Sequence, residues 1–146
     1  MANPDSVGQN TQDSFSNYLL GRVRATQLNT SGNAVITIPI LNGGLTNGGA
    51  VANSGGVIVR RVTIQNPSGA VSSAYLSVGF TNAGANLVVA NSAVSSISGV
   101  GTFQDMTTTA TFVSGNVSSC MYVNVNTASG NSNTVDILVW GDVVNF

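Results

Sequence analysis

The sequence has no lysine, no glutamate and no histidine, and Cys120 is its one cysteine. Without histidine, it lacks the side chain that most often acts as a general base near neutral pH. A single cysteine excludes an internal disulfide and the usual zinc ligand sets, and we expect Cys120 to be a buried, unreactive thiol. The 5 aspartates show no spacing typical of a catalytic pair. We therefore predict no catalytic residue, metal ligand or cofactor, and a protein that is not an enzyme.

Charge of either sign is scarce, because charged residues make up only 6% of the chain and the net charge is −1. Nucleic-acid binding usually needs a basic stripe, which 4 arginines among 5 aspartates do not supply. The sequence contains no run of about 18 apolar residues, the length that a membrane-spanning helix needs. Residues 1–12 lack the basic and apolar parts of a signal peptide. We therefore expect neither nucleic acid nor membrane as a partner, and no export signal.

The residues that are abundant favour β-structure. Valine and threonine suit a pleated surface, glycine and asparagine suit turns, and no sustained helical period occurs. Strand signals recur over 21–28, 34–41, 57–66, 72–81, 86–94, 102–113, 119–126 and 134–140. The alternation of apolar and polar residues is clearest over 72–81, whereas 86–94 is apolar on both parities and 102–113 is a threonine-rich strand or bent pair of strands. About eight such strands, separated by turn signals, predict an antiparallel, jelly-roll-like β-sandwich over residues 21–146. An immunoglobulin-type sandwich is the alternative, although its cysteine and tryptophan pattern is absent.

The alternation also predicts which side chains form the core. Pro39 marks its strand as an edge or a bulge, and a bulge at Gly141 would let the last strand continue beyond residue 140. In the strand over 57–66, Arg61, Thr63 and Gln65 are expected to point outward. The inward residues are predicted to be Ile36, Ile38, Ile40, Ile58, Val62, Ile64, Ala74, Leu76, Val78, Phe80, Met121, Val123, Val125, Val135, Ile137 and Val139.

Residues 1–20 differ from the rest, because they are mostly polar and show no sustained period. One interpretation is a disordered tail. The other is an extended N-terminal arm that becomes ordered on a neighbouring subunit. Its hydrophobic anchors would be Phe15, Tyr18, Leu19 and Leu20.

The sequence has only 4 arginines, so the contacts of each can be considered separately. They are Arg22, Arg24, Arg60 and Arg61, and they either lie on solvated strand faces or contact a subunit or partner. Arg60 falls on the inward parity, which predicts a pair with a carboxylate, for which Asp136 is a candidate. Breaking a buried pair of this kind would cost about 3–5 kcal/mol.

Exposed β-edges invite aggregation unless charge, especially lysine, guards them, so this composition favours edges that stay covered in an assembly. The runs NAVITIPI at 33–40 and VRRVTIQNPS at 59–68, with the Gly/Asn-rich loop 42–56 between them, resemble small virion proteins of tailed bacteriophages. These are capsid decoration, or cement, proteins. The resemblance implies a jelly-roll-like homotrimer that is made in the host cytoplasm, binds the major capsid protein on the outer surface of the virion and stabilises the capsid. The arm would then reach toward the capsid or a neighbouring protomer.

A glycan-binding or host-attachment module, such as a fibre head or an adhesin domain, is the alternative function. Exposed aromatic rings stack on the faces of sugars, and few aromatic residues are available. Tyr75 and Trp140 fall opposite the buried parity of their strands, which makes them the candidate stacking residues.

Overall fold

The computed structural model describes residues 18–39, 55–82, 87–109, 111–114 and 120–145. Within these ranges the chain forms strands and no helix, as the composition predicted. The strands are β1 (Tyr18–Gln27), β2 (Gly32–Pro39), β3 (Gly55–Gln65), β4 (Tyr75–Gly79), β5 (Leu87–Ala93), β6 (Gln104–Met106), β7 (Thr111–Ser114), β8 (Cys120–Thr127) and β9 (Thr134–Asn145). Most of the predicted loop 42–56 lies outside the described residues, but Gly55 and Gly56 belong to β3.

The strands form two antiparallel sheets that enclose one hydrophobic core. One sheet has the order β1-β9-β3-β6, with β7 also paired to β3, and the other has the order β2-β8-β4-β5. The region 102–113, predicted as one strand or a bent pair of strands, forms two short strands, β6 and β7, which pair with successive parts of β3. The expectation of an all-β, antiparallel, sandwich-like fold is confirmed.

The pairings are nested along the chain, as in one long hairpin that is folded over on itself. Going inward from the two ends, β1 pairs with β9, β2 with β8, β3 with β6 and β7, and β4 with β5. Two further pairings, β3 with β9 and β4 with β8, join these ribbons into sheets. Strands that are distant in sequence therefore lie side by side.

The core is built by the predicted alternation, because each strand turns every second side chain toward the opposite sheet. The side chains of Leu76 and Val78 in β4 and of Ile137 and Val139 in β9 are completely buried. Ile40 lies outside the described residues. The other predicted inward residues are buried, apart from Ile58.

Ile58 is the exception because β3 contains a bulge that reverses its parity. Val59 pairs with Gly141 and Arg61 with Trp140, so Arg60 is an extra residue opposite β9. Val57 and Val59 point inward before the bulge, and Val62 and Ile64 point inward after it. The prediction that Ile58 and Arg60 face the core is therefore wrong.

The bulge predicted at Gly141 lies instead in the neighbours of β9. On one side it is the bulge of β3 at Arg60, and on the other β1 shifts register between Leu19 and Gly21. Gly141 is nevertheless essential to this geometry. A Cβ added there would collide with the Ile58 carbonyl oxygen and would lie 2.9 Å from Leu20 Cδ1.

The edges of the two sheets approach each other at the sides of the sandwich. A Cβ on Gly21 in β1 would lie 2.6 Å from the carbonyl oxygen of Pro39, so the backbones of β1 and β2 approach each other closely there. On the other side, the Thr109 amide donates to the Val88 carbonyl at 2.8 Å. Pro39 ends an edge strand, as predicted.

We expect Gly141→Ala to destabilise the fold severely, because its methyl group would collide with the backbone of β3. The loss should reach or exceed about 3 kcal/mol, the upper part of the range for overpacking. Gly99→Ala is the matched control, since nothing lies within 4 Å of a Cβ at that position. Urea denaturation would measure both variants, and equal stabilities would contradict the close approach at Gly141.

Candidate functional site: a groove on the charged sheet

Charge is segregated between the two sheets. Arg22 and Arg24 lie in β1, Arg60 and Arg61 in β3, and the three described aspartates lie in β6 and β9. All of these strands belong to one sheet, which we call the charged sheet. The strands β2, β8, β4 and β5 carry no charged residue, and we call their sheet the uncharged sheet. The charged sheet is therefore the part of the described structure that can offer charged groups to a ligand.

Arg60 pairs with Asp142 rather than with Asp136. Its Nε lies 2.9 Å from Asp142 Oδ2, and the two side chains are 40% and 18% exposed. The bulge turns Arg60 outward, where Asp142 also points because it lies two residues after Trp140 in β9. The predicted buried ion pair is thus a surface pair.

Asp136 has a different partner set. Its Oδ1 accepts a hydrogen bond from the Ala25 amide at 2.8 Å, and its Oδ2 accepts one from Asn66 Nδ2 at 3.2 Å. Both residues have positive φ, 49° at Ala25 and 53° at Asn66. Asp136 therefore fastens the irregular part of β1 and the turn after β3 to β9, which leaves it no role in binding Arg60.

Arg61 lies over the indole ring of Trp140. The two residues are directly opposite each other in β3 and β9, and Arg61 Cζ is 5.1 Å from the ring centroid. This is within the range of a cation–π contact. Arg61 forms no ion pair with a carboxylate of the described residues, so its guanidinium N–H groups can donate to a ligand.

These two side chains form one wall of a surface groove of about 300 Å³. The volume lies at the lower end of the range for small-molecule sites. Asp105 of β6 pairs with Thr63 of β3, and Thr63 Oγ1 donates to Asp105 Oδ1 at 2.6 Å, which orients the carboxylate. Phe103, just before β6, is 66% exposed. The residues that line the groove are Arg61, Thr63, Gln65, Phe103, Asp105 and Trp140.

The indole N–H of Trp140 is unusual. Nε1 is buried, yet it has no hydrogen-bond partner, and no other buried side-chain nitrogen or oxygen of the described residues shares this state. Leaving a buried donor unpaired costs about 1–3 kcal/mol, and such a group calls for an explanation.

The predicted glycan-stacking residues do not form one site. Tyr75 lies in β4 of the uncharged sheet and Trp140 in β9 of the charged sheet. Tyr75 is 42% exposed, as its parity predicted, while Trp140 is half-buried beneath Arg61.

The predicted contact residues of the arm are also separated. Phe15 lies outside the described residues, whereas Tyr18, Leu19 and Leu20 belong to β1. Leu20 is completely buried in the chain's own core, so the prediction that it anchors on a neighbouring subunit is wrong. Leu19 is half-buried opposite Trp140.

Arg22 and Arg24 are exposed on β1, and neither forms an ion pair with a described carboxylate. Arg22 lies opposite Leu138 of β9, whose other neighbour is Thr63 of the groove. The Cys120 side chain is half-buried, less enclosed than predicted. Within the described ranges there is no cluster of three or more potential metal ligands. No helix in the described part is long and apolar enough to cross a membrane.

Sequence reasoning missed Phe103, Asp105 and Asp142 as site residues. Two adjacent arginines between inward valines, in the run Val59–Val62, were the available signal for a bulge, because strict alternation would bury one of them. No comparable signal links Asp105 to Thr63, since that contact depends on which strands pair.

The chain matches no family model, no curated protein and no solved structure.

We expect Arg60→Ala to change the free energy of unfolding by less than about 1 kcal/mol, since exposed ion pairs contribute little. Arg22→Ala is the control, because it removes an exposed arginine that has no ion pair. Urea denaturation of both variants should give stabilities that agree closely. A loss of about 3–5 kcal/mol for Arg60→Ala alone would show that the pair behaves as a buried one.

Proposed function

We propose that the protein is a virion structural protein, a capsid decoration protein that binds the outer capsid surface as a homotrimer and stabilises the capsid. The observation that carries this proposal is the outer face of the uncharged sheet. An uncharged surface costs less to remove from water than a charged one, and the cores of protein interfaces are depleted in charged residues.

The composition of this face fits a protein contact. Thr37 and Pro39 of β2 are exposed on it, and Val35 and Tyr75 are among the exposed large hydrophobic residues of the described chain. Tyr122 of β8 is half-buried between Thr37 and Gly79. Tyrosine is enriched at interfaces, because its ring is apolar and its hydroxyl can still bind a polar partner.

We further propose that the nested strand order is that of a jelly roll. This architecture consists of two four-stranded sheets with Greek-key connections, and it occurs in viral capsid proteins and lectins. In an immunoglobulin sandwich the first and last strands lie in different sheets, whereas β1 and β9 pair directly. The contacts between sheet edges at Gly21 and Thr109 cover part of each edge, so the faces are the more suitable contact surfaces.

The test uses capsids of a phage that encodes this protein, purified from a mutant that lacks its gene. The purified protein should bind these capsids in a fixed stoichiometry and raise their disruption temperature, and light scattering should show a trimer. Failure to bind would contradict the proposed function, and a stable monomer would contradict the homotrimer.

A charged substitution tests the proposed face. We expect Thr37→Glu to weaken capsid binding at least about tenfold, because a carboxylate buried in an interface without a partner is costly. Ser98→Glu is the control, since Ser98 is exposed in the loop between β5 and β6. Thr37 is also exposed, so thermal unfolding should be unchanged in both variants. Binding of Thr37→Glu with wild-type affinity would exclude this face as the contact.

A further inference from the structure

We propose that the groove on the charged sheet binds a neutral saccharide. This goes beyond the proposed function, which uses the outer face of the other sheet. The two sites can therefore act at the same time, one held on a capsid and the other open to solvent.

Phe103 supplies the stacking surface. Phe103 is 66% exposed at the rim of the groove, although burial of a phenyl ring is normally favourable. Trp140 also lines the groove, but its ring lies beneath Arg61, so Phe103 is the ring that a ligand can reach. The apolar C–H face of a sugar ring can lie against Phe103 and bury surface that is now in water.

Hydrogen-bonding groups converge on the same volume. Arg61 offers guanidinium donors, and the side-chain amide of Gln65 offers both a donor and an acceptor. Asp105 is oriented by Thr63 through Oδ1, which leaves Oδ2 to accept from a ligand. A sugar hydroxyl can donate to a carboxylate and accept from a guanidinium at once, so this set suits a ligand that is rich in hydroxyl groups.

Charge balance favours a neutral ligand. Arg61 and Asp105 both line the groove and carry opposite formal charges. An anionic sugar would be attracted by Arg61 and repelled by Asp105. A cationic ligand would be repelled by Arg61 and attracted by Asp105. Neither sign of ligand charge gains a net advantage, whereas hydroxyl groups can use both side chains.

The buried, unpaired indole N–H belongs to a residue that lines the groove. Trp140 Nε1 is covered and unpartnered in the free chain. Because Trp140 is the one tryptophan of the sequence, its fluorescence reports on this groove alone.

The test is a titration of the full chain with neutral monosaccharides and oligosaccharides, followed by tryptophan fluorescence and supported by a glycan array. We expect saturable changes in the emission of Trp140 with at least one neutral saccharide. Phe103→Ala and Gln65→Ala should each weaken that binding about tenfold, since each removes one contact with the ligand. Tyr75→Ala, which removes an exposed aromatic side chain from the uncharged sheet, should leave the affinity unchanged.

Thermal unfolding serves as the folding control, because Phe103 is largely exposed and its loss should not unfold the protein. Capsid binding by Phe103→Ala should also equal that of the wild type. The proposal is overturned if no neutral saccharide binds, if only acidic sugars or acidic peptides bind, or if Phe103→Ala binds as tightly as the wild type. Loss of saccharide binding in Tyr75→Ala alone would move the site to the other sheet.

Discussion

Between Val59 and Arg61, β3 contains one residue more than the stretch of β9 that it faces. This insertion turns two consecutive arginines outward, so that Arg60 reaches Asp142 and Arg61 covers Trp140. It also fixes the parity of the remainder of β3, which directs Thr63 and Gln65 into the groove and Val62 and Ile64 into the core. The absence of a side chain at Gly141 permits the close approach of β3 that this arrangement requires.

The sequence was a good guide wherever strict alternation holds. Ile36, Leu76 and Ile137 are buried as predicted. Each lies in a strand with one apolar face, and that face must turn toward the core. Prediction failed at Arg60, where a bulge breaks the alternation, and at the Asp136 pairing, where the partner depends on tertiary contacts. Asp105 was beyond sequence reasoning for the same reason, since only the pairing of β6 with β3 brings it to Thr63.

The two sheets share one core but differ in what they offer to the outside. The charged sheet keeps its ionisable groups hydrated and adds a groove with aromatic and polar walls. The uncharged sheet carries amide networks instead, in which Asn126 Nδ2 donates to Asn91 Oδ1 at 2.8 Å. Such neutral side chains can be covered at lower cost than ions, because desolvation of a charge is far more expensive. One small domain can thus combine a surface suited to permanent contact with one suited to a soluble ligand.

The nested pairing has a consequence for the order in which the protein is built. β9 lies between β1 and β3, and the Ala25 amide bonds to Asp136 across 111 residues of sequence. During synthesis, the N-terminal strand must therefore wait for β9 before the charged sheet can close. Contacts this distant in sequence make folding slow, and until β9 emerges the unpaired strands are exposed to other chains. A chaperone that shields nascent β-strands should therefore raise the yield of folded protein more than it would for a helical domain of similar length.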